Sequence, residues 1–519
     1  MEILPGFDPA TLQWGWSWWT VLAWIGRILG IAHIPYVLLQ RGTRPMAALA
    51  WILCLFFLPF VGVILWWGLG PNHMKRRRRR RSRSQARISE SFSSLAQTIE
   101  PTTGHYAEVD RITPAMRRAR TLFLHDEHGI FPSTRHNWAR VYENATIAFD
   151  AFEEAIQGAK HHVHFQFYIW RRDGTGERFR DLLVEKAKEG VEVRVLYDAV
   201  GSAQVHRRFL APLIAAGGKA VPFLPVRLLE RRLRINFRNH RKLIIIDGHL
   251  GFTGGINIAD EYAEWLDLAF GFEGPVVHQL QEIFAEDWYF ATQEDLAAKP
   301  YFEPISRKDL TRVSVEDEAP TTLPESSSTQ LSGPAQHQVI ARVVSSGPDD
   351  TLDTIQKMFF LAITSAKERV FIMTPYFVPD HAIITALQTA AMRGVDVRII
   401  LPAKSDVPIT QHAGRSYVES LLEVGVQVYE YKRSVLHAKL LVFDRQYVFV
   451  GSANMDIRSF RFNFETNCVL ESPTLNHQLT RHFLNQVHHS REIHLHEFQQ
   501  RSKKERLLEG LARLLSPLL

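Results

Sequence analysis

Two stretches, "HRKLIIIDGHLGFTGGIN" (240–257) and "HAKLLVFDRQYVFVGSAN" (437–454), set the same residue types at the same spacing. Each opens with a histidine and a lysine two apart, His240 and Lys242 or His437 and Lys439. Each then runs through four apolar residues to an aspartate, Asp247 or Asp444, and ends at Asn257 or Asn454 after Gly-Gly-x or Gly-Ser-x. A single His-x-Lys reads as an ordinary surface pair. Two copies supply what displacement at a phosphodiester needs: a neutral imidazole as nucleophile, a second to protonate the departing oxygen, and cations to hold the phosphoryl oxygens. Lys242, Lys439, Asn257 and Asn454 could form that phosphate cradle with neither metal nor cofactor. A nucleophilic imidazole also needs its tautomer fixed, usually by a carboxylate on the other ring nitrogen. Asp267, 10 residues after Asn257, and Glu465, 11 after Asn454, are the candidates.

These side chains need strands to position them. "LIII" (243–246) and "LLVF" (440–443) read as buried strands, on which His240 and Lys242 share a face, as do His437 and Lys439. Asp247 and Asp444 complete the candidate catalytic set by motif. Seven residues after each histidine is the opposite face of an unbroken strand, so tying down the strand end suits them better than touching substrate. The text around the motifs also repeats. "AKHHVHFQFYIW" from Ala159 and "AKERVFIMTPYF" from Ala366 each lead through a helix-like stretch to Gly-Val-Glu-Val-Arg (190–194) or Gly-Val-Asp-Val-Arg (394–398). Strand, helix, strand is the unit of a layered α/β fold. Residues 135–305 and 339–490 are the expected halves, with a mobile linker at 306–338 that is rich in Pro, Ser, Thr and acid.

The net charge of +6 sits in one place. Lys75, Arg76 to Arg81, Arg83 and Arg87 carry nine positive charges, and removing them leaves −3 for the rest, which does not support a broad nucleic-acid surface. Two cysteines, Cys54 and Cys468, are too few for a disulfide framework or a four-cysteine zinc site. Met46 to Gly68 is 23 residues without a charge, long enough to span a bilayer as a helix kinked at Pro59. Trp14 to Leu39 reads as a first span despite Arg27, His33 and Pro35, with a re-entrant or interfacial segment as the alternative. Trp14, Trp16, Trp18, Trp19, Trp66 and Trp67 suit the bilayer interface. A cleaved signal peptide fits poorly, because no basic start precedes the first apolar run. Residues 1–70 are therefore expected to be a two-helix transmembrane hairpin. The basic cluster in the 71–134 connecting segment would hold the N-terminus and all later residues in the cytoplasm. In the tail, 491–519, Leu507, Leu508, Leu511, Leu514 and Leu515 form one helical face, expected to pack on the body, with membrane contact as the alternative.

The paired His-x-Lys-x4-Asp-x6-Gly-(Gly/Ser)-x-Asn motif resembles that of the phospholipase D superfamily. The words "LYDAVGS" (196–202), "GGINIADEY" (254–262), "FAEDW" (284–288), "SSGPD" (345–349), "TPYFVPD" (374–380), "DIRSFRFNFE" (456–465) and the terminal "LLSPLL" resemble its bacterial cardiolipin synthase branch. The resemblance implies two α/β/α sandwich halves with pseudo-twofold symmetry sharing one site. It also implies His240 as the covalent nucleophile and His437 as acid and base, in a multi-pass inner-membrane enzyme acting on phosphatidylglycerol. Two departures stand out: Gly255 occupies the place of Ser452, and no basic residue precedes Asp267 in "EYAEWLDLAFGF" (261–272). The rival readings are a phospholipase D hydrolase, a transferase using another phospholipid, and a non-catalytic lipid-binding scaffold. The oligomeric state stays open.

Overall fold

The computed structural model describes residues 18–41, 45–69, 88, 91, 131–225, 237–302, 336–350 and 352–516. The basic run at 75–87, Trp14, Trp16 and nearly all of the expected linker lie outside them. The N-terminal helices form one compact unit, and the described residues from Ile88 onward form another.

In the first unit, helices occupy Trp18–Arg41, Pro45–Phe57 and Pro59–Leu69. The second expected span is thus broken at Leu58, where Pro59 has no N–H to continue the ladder. Leu58 N–H to the Cys54 carbonyl (2.9 Å) and Gly62 N–H to the Leu58 carbonyl (2.6 Å) bridge the break. Among the described residues, no helix is long and apolar enough to cross a membrane. Gly26 and Gly30, one turn apart, are where the first helix meets the others: a Cβ on Gly26 would lie 2.7 Å from the Phe60 ring, and one on Gly30 would strike the Leu55 carbonyl. This Gly-x-x-x-Gly spacing in an apolar run is a helix-packing signal that the sequence reading passed over. Trp66 is buried edge-on against Trp51 and Tyr36. The outward surface is apolar, with Ile28, Leu39, Phe57 and Ile64 all exposed.

In the second unit the first half supplies β1 (Thr134–Tyr142), β2 (His162–Phe167), β3 (Glu192–Asp198), β4 (Lys219–Phe223), β5 (Arg238–Asn239), β6 (Leu243–Ile246), β7 (Leu250–Gly254) and β8 (Ala269–Glu273). The second half supplies β9 (Gln336–Ser346), β10 (Arg369–Met373), β11 (Phe377–Val378), β12 (Asp396–Pro402), β13 (Gln427–Tyr431), β14 (Leu440–Phe443), β15 (Tyr447–Gly451), β16 (Met455–Asp456), β17 (Asn463–Glu471) and β18 (Ser490–Glu492). One sheet runs β4-β3-β2-β6-β7-β8-β1-β9-β17-β15-β14-β10-β12-β13-β18, with β5 beside β17. From the antiparallel β1–β9 junction outward, both sides repeat one order and one set of senses: four antiparallel pairings, then two parallel ones. The halves are therefore related by an approximate twofold at that junction.

The motif strands are apolar throughout because both faces are covered. Leu243 and Ile245 enter a cluster shared by both halves, which includes Leu280, Phe284, Leu475 and Phe483 from the Val276–Thr292 and Pro473–His488 helices. Ile244 and Ile246 enter a second cluster on the other face, with Val163, Phe165 and Phe167 of β2. The second half has its own cluster there. On β2 the intervening residues His162, His164 and Gln166 are also buried, forming a polar stripe where the alternation suggested only a strand.

The tail departs from expectation. The Lys503–Leu514 helix packs on the Pro408–Leu422 helix through Glu509 and Ala512, and its leucine face points outward. Arg415 and Arg501 both bond Glu509, and these bonds set the roll of the helix.

Candidate active site

Each motif begins in an extended segment that crosses into the other half. β5 runs parallel to the start of β17, and His240 N–H donates to the Phe464 carbonyl at 2.9 Å. On the opposite side, His437 N–H donates to the Leu266 carbonyl at 2.8 Å, and Leu266 N–H donates to the Val435 carbonyl at 2.9 Å. The residues that follow these carbonyls are the two carboxylates. His240 Nδ1 donates to Glu465 Oε2 at 3.0 Å, and His437 Nδ1 donates to Asp267 Oδ2 at 2.5 Å. A carboxylate on Nδ1 keeps the hydrogen there and leaves Nε2 with the lone pair. Each histidine is therefore oriented by the half that does not carry it, a crossing that neither copy of the motif reveals alone.

Burial sets the charges. His240 is 6% exposed and its imidazole is pulled down to about 4, chiefly by desolvation, with Lys242 and Lys439 adding to the effect and Glu465 opposing it. His437 is lowered by burial and by Lys439, against Asp267. Burial also lowers both lysines, Lys242 to about 7. In Glu465, burial acts upward but is outweighed by His240, Lys242 and the Ser452 hydroxyl, so its carboxyl sits below the usual range. That Lys439 acts on His240, and Lys242 on His437, marks the two motifs as one electrostatic site. Lys242 Nζ donates to the His240 carbonyl at 2.7 Å. Lys439 Nζ donates to the His437 carbonyl and lies 2.9 Å from His437 Nδ1. Aromatic rings wall the imidazoles: Tyr168 at 4.9 Å from His240, and Tyr262 and Trp265 at 5.5 and 5.4 Å from His437.

The two asparagines differ. Asn257 Oδ1 accepts from Ile169 N–H at 3.0 Å and its Nδ2 donates to the Tyr262 hydroxyl at 2.7 Å, so both ends are engaged. Asn454 keeps a buried side-chain oxygen with no hydrogen-bond partner among the described residues. Asp247 and Asp444 lie at the far strand ends, away from the histidines. Asp247 accepts the backbone N–H groups of Lys160, His161 and His162, each at 2.8 Å, and Asp444 those of Lys367 and Glu368 at 2.9 and 2.8 Å. Both take positive φ, near +50°, which aspartate tolerates.

The Gly255 and Ser452 difference follows from the lengths of their partners. A Cβ on Gly255 would sit 2.7 Å from Asp267 Cγ, whereas Ser452 has room to donate its hydroxyl to Glu465 Oε2 at 2.5 Å. Arg241, the unassigned middle residue of the first motif, is the residue that sequence reasoning missed. It is fully buried, pairs with Asp287 at 2.7 Å, and reaches into the second half to Ser345 Oγ at 2.5 Å and the Glu465 carbonyl at 3.3 Å. Asp287 also accepts from Asn239 and Gln166, at 2.9 and 2.8 Å, and Asp198 Oδ2 accepts Asn239 N–H at 2.9 Å. The words "LYDAVGS", "FAEDW" and "SSGPD" thus converge on the segment that presents His240. Among the described residues, no group of three or more His, Cys, Asp or Glu side chains is placed to hold a metal ion.

Comparison with known proteins agrees with this geometry. A family model described as "Cardiolipin synthase, PLD-like domain" matches residues 152–288 and 360–487, one segment in each half. A cardiolipin synthase of Geobacillus thermodenitrificans is 36% identical over 512 residues, covering 96% of this chain and 95% of its own. Cardiolipin synthase 1 of Bacillus anthracis is 36% identical over 505 residues, covering 96% and 93%. The crystal structure of a phosphatidylserine synthase from Haemophilus influenzae superposes with a TM-score of 0.53 at 15% identity, over 73% of this chain and 95% of that one, a likeness of fold. Paired motifs, a repeated sheet and full-length relatives together place the chain in the cardiolipin synthase family built on phospholipase D-like domains.

Proposed function

We propose that the chain transfers a phosphatidyl group between two phosphatidylglycerol molecules, giving cardiolipin and glycerol. The observation that carries this reading is the crossed pair of imidazoles, each held by a carboxylate on Nδ1 with Nε2 left to react. His240 Nε2 attacks the phosphorus of the first lipid. The bond to the departing glycerol oxygen breaks, and that oxygen takes a proton from His437. The glycerol hydroxyl of the second lipid then gives its proton to His437 and attacks the phosphohistidine, and the P–N bond breaks. One phosphodiester replaces another, so no nucleotide is consumed.

Burial and Lys439 lower His437, and the negative charge of a phosphodiester acts in the opposite direction, favouring the imidazolium that the first step uses. Lys242, Lys439 and the side-chain NH2 of Asn454 are the donors to the phosphoryl oxygens in this reading. Asn257 acts one step back, through Tyr262 and the Ile169 backbone. Asp247 and Asp444 serve as strand-end ties. The test is turnover in phosphatidylglycerol bilayers, where cardiolipin and free glycerol should appear in equal amounts and vanish in His240→Ala and His437→Ala. Phosphatidic acid in place of cardiolipin would make the chain a hydrolase.

The N-terminal helices serve in this reading as a cytoplasm-facing membrane hairpin, its second arm kinked at Leu58–Pro59. Their exposed apolar surface and glycine-mediated packing support that role. An Arg41→Cys variant should label from outside intact cells with an impermeant maleimide, and Lys188→Cys only after lysis. The reverse pattern would invert the topology.

A further inference from the structure

The Lys503–Leu514 helix buries an acid and exposes its leucines. Ser502 and Glu505 cap it reciprocally. Glu509 is buried and takes bonds from Arg415 Nε at 3.2 Å and Arg501 Nε at 2.9 Å, while Arg501 also bonds Glu419 at 2.8 Å. Arg513 lies 4.5 Å from the Tyr417 ring centre. Taking that carboxylate out of water is unfavourable unless it is paired, so these partners lock the roll of the helix. Leu507, Leu511 and Leu514, at i, i+4 and i+7, are consequently 64%, 51% and 76% exposed, with Leu508 and Leu515 beside them.

We infer that this leucine face lies in the interfacial layer of an anionic lipid bilayer. The charge of the helix selects that occupant. It carries Lys503, Lys504, Arg506 and Arg513 against two acids, of which Glu505 is engaged in the cap and Glu509 is already neutralised. A leucine face flanked by exposed cations is the pattern of a helix lying in the plane of anionic headgroups. Its place in the fold adds a reason. The Pro408–Leu422 helix beneath it follows Asp406, whose charge acts on Lys439, and Gly414 in that helix packs directly against Phe377 of β11. β11 pairs with β16, immediately after Asn454. A bilayer against the leucines therefore meets the flank of the second motif. That benefit rests on the lipid-substrate reading, whereas docking itself is measured without turnover.

The test uses the full chain in nanodiscs. A polarity-sensitive fluorophore is attached at Leu511→Cys in a Cys54→Ser background, since Cys468 is fully buried. Nanodiscs containing phosphatidylglycerol should shift its emission to the blue and protect it from an aqueous quencher. A probe at the exposed Lys188 should show neither effect. Neutral phosphatidylcholine discs should weaken both. Leu507→Gln/Leu514→Gln, exposed changes that leave the fold intact, should abolish the shift and lower turnover on bilayers several-fold, while turnover of short-chain monomeric phosphatidylglycerol is kept. A water-like probe in anionic discs would overturn the inference. So would energy transfer between probes on separate copies, which would mean that a second chain covers the face.

Discussion

His240, buried and held at about 4, stays neutral as pH falls until that region, so its loss as a nucleophile is expected only near pH 4. Lys242, held at about 7, loses its proton as pH rises through neutrality. The free-enzyme profile, kcat/KM, should therefore fall above about pH 7. The kcat limb should lie higher, because a bound phosphodiester stabilises the ammonium. Lys242→Arg should remove the kcat/KM limb near neutrality, and an unchanged limb would assign it elsewhere. Gly255→Ser copies the other half but forces Asp267 off His437; a displacement of about 1 Å predicts roughly 100-fold lower kcat, whereas Ser452→Gly should lose far less. Asp287→Asn weakens the Arg241 pair that staples the halves, and should lower both melting temperature and kcat. The paired histidines and lysines were legible because they come twice. The partner carboxylates could be named, but not which histidine each serves: the hydrogen bonds that matter join residues 225 and 170 apart in sequence. A carboxylate follows each motif by 10 or 11 residues, yet serves the histidine of the other.

At the scale of elements, strands were legible wherever both faces are apolar, as in "LIII" and "LLVF", and the glycine-valine turns before β3 and β12 marked the repeat. Periodicity was less informative where polar groups are buried. Heptad-like leucines in the tail suggested a face against the body, and the ion pairs of Glu509 reversed it. Proline identity could place the kink at residue 59 but not the interruption of the helix at Leu58. Asp247 and Asp444 illustrate a motif position whose work is structural. Removing either carboxylate strands two or three partly exposed backbone N–H groups, a loss of about 1–2 kcal/mol. Asp247→Ala and Asp444→Ala should therefore lower the melting temperature while the folded fraction keeps near-normal kcat. A large kcat loss in fully folded protein would instead put these aspartates in the chemistry.

For the whole molecule, the continuous sheet makes the twofold functional. β1 and β9 meet at the centre, and each half lends the other a backbone carbonyl and a carboxylate, so neither half holds a complete site. Near-symmetry gives both imidazoles the same surroundings in outline, and the asymmetric features gather on one side: Arg241, where the second copy has Ala438, and the longer Glu465 arm with its Ser452 bond, both serve His240. Mass spectrometry of trapped enzyme identifies most directly the imidazole that forms the covalent bond. A phosphatidyl donor with an acidic fluorophenol leaving group needs no general acid, so His437→Asn should form the adduct but lack the base that clears it. The account predicts accumulation of a phosphatidyl group on His240 of that variant and none in His240→Asn. An adduct on His437 in the His240→Asn variant, or turnover with no covalent species, would contradict it.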